Sequence, residues 1–320
     1  MYDFVFESMI PTKIYKKDNC MKRVIVCAFL LSLLLQKVAI GQEDMQERRK
    51  MLAKNVGATL ATYAAPPMLE SGYVDYDKLI AELKQLHANT YHWLDRAGKT
   101  DLNALKVFLP MAKKAKIKVW VTLVPPSESP PLSSHYSEPY RLDFEQWSIA
   151  LAKLSLEYPN LVAWSIDDFV HNLKLFTPSY VQQFLDAGRA INPTLAFFPC
   201  CYYKQTDSSF AKNYGSMIDG ILFPYRSESV VASLTDPFQV ESEIDKIRGL
   251  FNNGLLVYLD VYASPHSHLG ASTADYVKEV VRAGLAAADG VLIYRHQDPV
   301  KFPEKFEIVQ KAFKKGLKKH

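Results

Sequence analysis

Glycine, cysteine and long apolar runs are all scarce in this chain. Its 320 residues include 13 glycines that form no GxGxxG or other phosphate-cradling loop, so no nucleotide cofactor is expected. Of four cysteines, only Cys200 and Cys201 lie outside the first 42 residues. An adjacent pair builds no disulfide framework, so the hydrophobic core must hold the fold. Two free, partly buried thiols are expected there, with a strained vicinal disulfide as the alternative. No apolar run reaches the ~20 residues that span a bilayer. An excess of one charge is also missing: 38 Lys/Arg face 34 Asp/Glu, and without residues 1–42 the counts become 32 and 31. Nothing therefore draws the chain to nucleic acid. The lysines of KKAKIK and KAFKKGLKKH read as solvated helix faces.

What is present begins with a leader pattern. From Met21, MKRVIVCAFLLSLLLQKVAIGQ has a basic start, an apolar stretch from Val24 to Leu35 and a small-residue exit at Ala39 and Gly41. This is the pattern of a secretory signal peptide over 21–42, cleaved near Gly41–Gln42. Cys27 lies inside the apolar stretch, which argues against lipoprotein attachment. A secreted or periplasmic product with no stable membrane span after cleavage is expected. Residues 1–20 read as an over-extended gene start, 43–55 as an N-terminal helix near the bottom of the fold, and 56–320 as one catalytic-sized domain.

Over that domain, short runs rich in β-branched and aromatic residues alternate with helix-period segments. VGATLATYA, NTYHWLDR, KVWVTLVPP, LVAWSIDDF, TLAFFPCCYY, DGILFPYR, GLLVYLDVY and DGVLIYRH are the strand candidates. Thr177-Pro178, Asp236-Pro237 and Thr273 supply helix starts, and YPN, NPT, NNG and ADG supply stops. Eight βα units predict the α/β class and a single-domain (β/α)8 TIM barrel. Helix-to-strand joins are short and strand-to-helix joins long, as in PPSESPPLSSHYSEPYR, so the loops gather at the carboxyl ends of the strands, where barrel active sites lie.

Alternation then sorts the side chains. In the fourth strand Val162, Trp164 and Ile166 suit the helix layer, which turns Ala163, Ser165 and Asp167 to the axis and leaves Asp168 at the rim. In the seventh, Leu256, Tyr258, Asp260 and Tyr262 face inward, and in the eighth Tyr294 and His296. Tyr63, His92, Trp93, Asp95, Tyr202, Tyr225 and Arg226 are the candidates from the other strand ends. Such an aromatic and acidic rim suits an oligo- or polysaccharide, since aromatic faces stack on sugars and charged groups bind hydroxyls. Carboxylates sharing a cleft push their pKa values apart, and a glycosidic oxygen needs the proton that one of them keeps. Asp167, Asp168 and Asp260 are the catalytic candidates. Three other readings compete. The Asp pair could cap a helix or pair with Arg226 or Lys174; the barrel could bind carbohydrate without catalysis; or His266, His268, Asp260 and His296 could serve a metal-dependent hydrolase, although loop histidines are poorly placed for rigid ligation. No metal is expected.

The leader, the barrel pattern and Asp167-Asp168 at the end of the fourth strand together resemble secreted bacterial TIM-barrel glycoside hydrolases. The dipeptide is similar to that of the O-GlcNAcase and related retaining hexosaminidases. The resemblance implies that Asp167 orients and polarises a 2-acetamido group whose oxygen attacks the anomeric carbon. Asp168 would then be general acid and later base, with Tyr225 or Tyr258 donating to the oxazoline. SIDDF lacks the spaced Asp run ending in Glu of the chitinases. A second route, as in retaining barrels with carboxylates on strands four and seven, pairs Asp168 as acid/base with Asp260 as nucleophile.

Overall fold

The computed structural model describes residues 45–63, 65–295 and 298–317. The leader reading over 1–42 and the site candidate His296 lie outside them. A helix over 45–56, α1, precedes the first strand. Eight strands follow: β1 (Thr59–Tyr63), β2 (Thr90–Asp95), β3 (Lys118–Leu123), β4 (Leu161–Ile166), β5 (Ala196–Phe197), β6 (Gly220–Pro224), β7 (Leu256–Tyr262) and β8 (Gly290–Tyr294). Between and after them run α2 (Tyr76–Gln85), α3 (Leu102–Lys114), α4 (Phe144–Glu157), α5 (Pro178–Arg189), α6 (Ser208–Tyr214), α7 (Val240–Leu250), α8 (Ala274–Ala287) and α9 (Pro303–Gly316). All strand pairs are parallel, in the order β5-β4-β3-β2-β1-β8-β7-β6. This is the expected (β/α)8 barrel.

The seam between β5 and β6 closes irregularly. Pro199 has no N–H, and β5 is two residues long where the sequence suggests ten; a bridge between Cys200 and Leu222 continues the ladder. There Leu222 N donates to Pro199 O at 3.0 Å and Cys201 N to Leu222 O at 2.9 Å. Both cysteines are free thiols and buried.

Helix starts follow the sequence with one exception. Thr177 and Thr273 accept backbone N–H groups at the heads of α5 and α8. Asp236 instead accepts from Phe238 N and Ser227 Oγ, and α7 starts four residues later, so the Asp-Pro step builds a loop. At the bottom, α1 is tied down by buried Asp219, whose carboxylate accepts from Arg48 at 2.6 Å, Arg189 at 3.1 Å and Phe197 N at 2.9 Å.

The axis is packed, not hollow. Trp120, Phe198 and Tyr258 meet there with ring centroids 4.7–4.8 Å apart, forming a floor beneath the mouth. No helix of the described residues is long and apolar enough to cross a membrane.

Candidate active site

Strand β4 ends at Ile166, so Asp167 takes the inward position at the carboxyl end of the barrel. Asp168 then adopts left-handed backbone angles, φ 44° and ψ 33°, unusual for a residue with a Cβ. That twist carries its carboxyl across to residues following β4 and β5. Asp168 makes no capping bond to the short helical turn Phe169–Asn172, which removes the helix-cap reading of the pair.

Each carboxyl is gripped by a tyrosine. Tyr63 at the end of β1 donates its hydroxyl to Asp167 Oδ2 at 2.7 Å, and Asp168 N donates to Asp167 Oδ1 at 2.9 Å. Tyr202 donates to Asp168 Oδ1 at 2.6 Å, with His171 Nδ1 3.7 Å from the same oxygen. His171 stacks on the Tyr202 ring at 4.7 Å, and the Arg226 guanidinium lies 4.0 Å from its centroid. Arg226 is ion-paired with Glu228, which also accepts from Lys204 N. The proposed ion pair of Asp168 with Arg226 is thus indirect, through field and not contact.

These surroundings drive the two acids apart. Burial, then the charge of Asp168, raises Asp167, outweighing its hydrogen bond from Tyr63. Burial pushes Asp168 up too, but the nearby His171 imidazole, the hydrogen bond from Tyr202 and the charge of Arg226 leave it below the ordinary carboxylate range. Of the two, Asp167 therefore holds the proton to higher pH and Asp168 is the first to carry the charge. Asp260, 3% exposed, is pushed well above its ordinary value by burial and by Asp167, and its Oδ1 has no partner among the described residues. It is a neutral acid beneath the mouth.

Around the acids, Tyr63, Tyr262 and Tyr294 form an aromatic arc: Tyr294 lies 5.6 Å from Tyr63 and 5.1 Å from Tyr262 between centroids. His92 supports Tyr63 from below at 4.8 Å and bonds Thr122; burial lowers its pKa to about 3, so it is neutral.

Four other candidates sit away from the cleft. Trp93 takes the outward phase of β2, stacking on Phe108 of α3 at 5.2 Å and donating to Thr100 O. Asp95 shares that phase and accepts from Glu138 N at 3.0 Å, anchoring the long loop after β3. Tyr225 points into the helix layer, stacking on Tyr276 and donating to Asp236 O at 2.7 Å. Tyr258 belongs to the floor, so neither tyrosine proposed to meet an oxazoline is at the mouth. Glu128, His171 and Cys200 were not anticipated. Burial and the charge of Asp168 raise Glu128, which comes from the β3 loop. His171 follows Asp168 by one helical turn, a spacing legible in DDFVH.

Among the described residues, Asp167, Asp168 and Cys200 bring ligand-type atoms within 4.8 Å of one another. The loop histidines His266 and His268 are not in this group: His266 packs on Tyr262 at 5.0 Å and accepts from the backbone of His268 and Leu269. Both carboxylates of the group are engaged by tyrosine hydroxyls, and burial pushes the Cys200 thiol well above its ordinary range.

No family model matches the chain, and no curated protein does. Solved structures share its fold. A glucosidase from Croceicoccus marinus aligns with a TM-score of 0.57 at 10% identity, over 81% of this chain and 67% of that one. A chitinase domain from Pyrococcus furiosus, complexed with chito-oligosaccharides, gives 0.54 at 10%, over 82% and 96%. A GH2 β-galacturonidase from Eisenbergiella tayi gives 0.51 at 12%, over 80% of this chain but only half of its own length. At such identities the likeness is one of fold.

Proposed function

We propose that this protein is a glycoside hydrolase acting at the carboxyl end of the barrel, with Asp167 and Asp168 as its proton-handling pair. The observation that carries the reading is their opposed tuning: neighbouring carboxyls, each held by a tyrosine, one raised and one lowered. The fold it shares with a glucosidase, a galacturonidase and a chitinase supports it. The sequence reading gives the acid to Asp168; the electrostatics of the free site favour Asp167 as its holder. Asp167 then protonates the leaving oxygen as its bond to the anomeric carbon breaks. Ionised Asp168 faces the positive charge that grows on the ring, as nucleophile or as base towards water. Partly exposed Tyr294 offers a stacking face to the sugar, with buried Tyr63 and Tyr262 packed behind it. Asp260 serves as a neutral hydrogen-bond donor under the pair, a role that replaces the nucleophile. Export through residues 21–42 belongs to the same proposal.

A panel of chromogenic aryl glycosides, plain, N-acetylated and acidic, tests it. Wild type is expected to turn over at least one, and Asp168→Asn to lower kcat by about 10²-fold or more with KM little changed. No turnover across the panel, with sugar affinity intact in Asp168→Asn, would replace the hydrolase with a carbohydrate-binding barrel.

A further inference from the structure

A cavity lies at the end of the barrel opposite the acid pair. It holds about 700 Å³ and opens between the carboxyl-terminal halves of α8 and α9, beneath the first residues of β1 and β8. Small-molecule sites occupy roughly 300–1,000 Å³. Its walls are aliphatic, from Leu60, Leu285, Ile308 and Ala312. Small residues line it on both helices: Ala286 on α8, Ala312 and Gly316 on α9.

The rim has a different chemistry. Lys278, Arg282, Lys311 and Lys315 surround the opening. Asp289 is the one acid lining the cavity, and its carboxylate is already used by Arg248 at 2.7 Å and Val257 N at 2.8 Å. Glu279 pairs with Arg282 at 2.8 Å and with Lys278 at 3.7 Å, and Glu307 pairs with Lys311, through cations whose side chains are 61–69% exposed. Such exposed pairs are weak and exchange readily for another anion. A largely aliphatic hollow suits an alkyl chain better than a sugar, while four cations at its entrance select negative charge.

We infer that this end of the barrel binds a single-chain amphiphile with an acidic head, a long-chain carboxylate. Its tail lies between α8 and α9 and its head at Lys311 and Lys315. The site is independent of the glycosidase reading, because none of its residues belongs to the catalytic mouth.

Calorimetric titration of the full protein with dodecanoate, below its micelle concentration, tests the inference, with dodecylammonium as the control of equal tail length. One dodecanoate per chain is expected, bound about tenfold or more tightly than the amine, and weakened about tenfold or more in Lys311→Glu/Lys315→Glu. Ala312→Trp fills the chamber and is expected to abolish binding; if that variant does not fold, the surface charge reversal still decides. No saturable binding, equal binding of the amine, or affinity unchanged by the charge reversal would overturn the inference. So would a dimer in light scattering that Ala312→Trp dissociates, since a second copy would then be the occupant.

Discussion

Asp167 and Asp168 are the same side chain one residue apart, and only their neighbours make them different acids. A chemistry that needs the proton of Asp167 weakens as pH rises through about 7, the value to which burial and Asp168 raise it. A chemistry that needs the charge of Asp168 weakens as pH falls through that group's lowered pKa. Asp168→Asn removes a negative neighbour of Asp167, so the basic limb of its residual activity is expected to move to lower pH; an unmoved limb in the kcat/KM profile would show that the acids are not coupled. Asp95 shows the same physics without the chemistry. Burial raises it to about 8, so the folded state holds its proton, and its contribution to stability is present at low pH and lost as pH rises from the ordinary carboxylate range through about 8. Asp95→Asn keeps an oxygen for Glu138 N and cannot ionise. Between pH 5 and 8 its urea stability is expected to fall less than that of wild type, by roughly 3 kcal/mol. At this scale the sequence was readable where size alternation is clean: Tyr63, Asp167, Asp260, Tyr262 and Tyr294 all take the inward phase. Trp93 and Tyr225 misled because a strand end offers aromatics to both faces, and composition does not say which faces the cleft. Glu128 escaped because periodicity carries no information about the path of a loop.

Elements are held to the site by a few side chains. The loop after β3 is fastened where Ser137 Oγ accepts from Val124 N at 2.9 Å and donates to Asp95 O at 2.8 Å. In the helix layer, α8 lies so close to the sheet that a Cβ on Gly284 would meet Leu259 Cδ2 at 2.5 Å and Val291 Cγ2 at 3.0 Å. Gly284→Ala is therefore expected to destabilise by about 1–3 kcal/mol despite its better helix propensity, read as a lowered denaturation midpoint; a stabilised variant would mean that α8 is free to shift. Helix existence and order were legible because apolar periodicity and caps such as Thr177 and Thr273 agree. Strand β5 was not. Its composition promises a long strand, but Pro199 breaks the ladder and leaves Cys200 and Cys201 to stitch the seam, which depends on backbone partners no local pattern reveals.

For the whole molecule, the alternation of eight strands with helices was enough to anticipate a barrel, and the inward phase of β4 to place Asp167 at its carboxyl end. The aromatic floor of Trp120, Phe198 and Tyr258 was not, because residues from three distant strands meet only once the sheet has closed. In the proposed function that floor limits the depth of the mouth and sets the layer of Asp167 and Asp168 directly above it. The most direct measurement is the pH profile of glycoside hydrolysis for wild type beside Asp167→Asn. A wild-type bell with a basic limb near pH 7, together with an Asp167→Asn rate about 10²-fold lower and without that limb, is the predicted result. An Asp167→Asn enzyme with the wild-type rate and an unchanged profile would contradict the account.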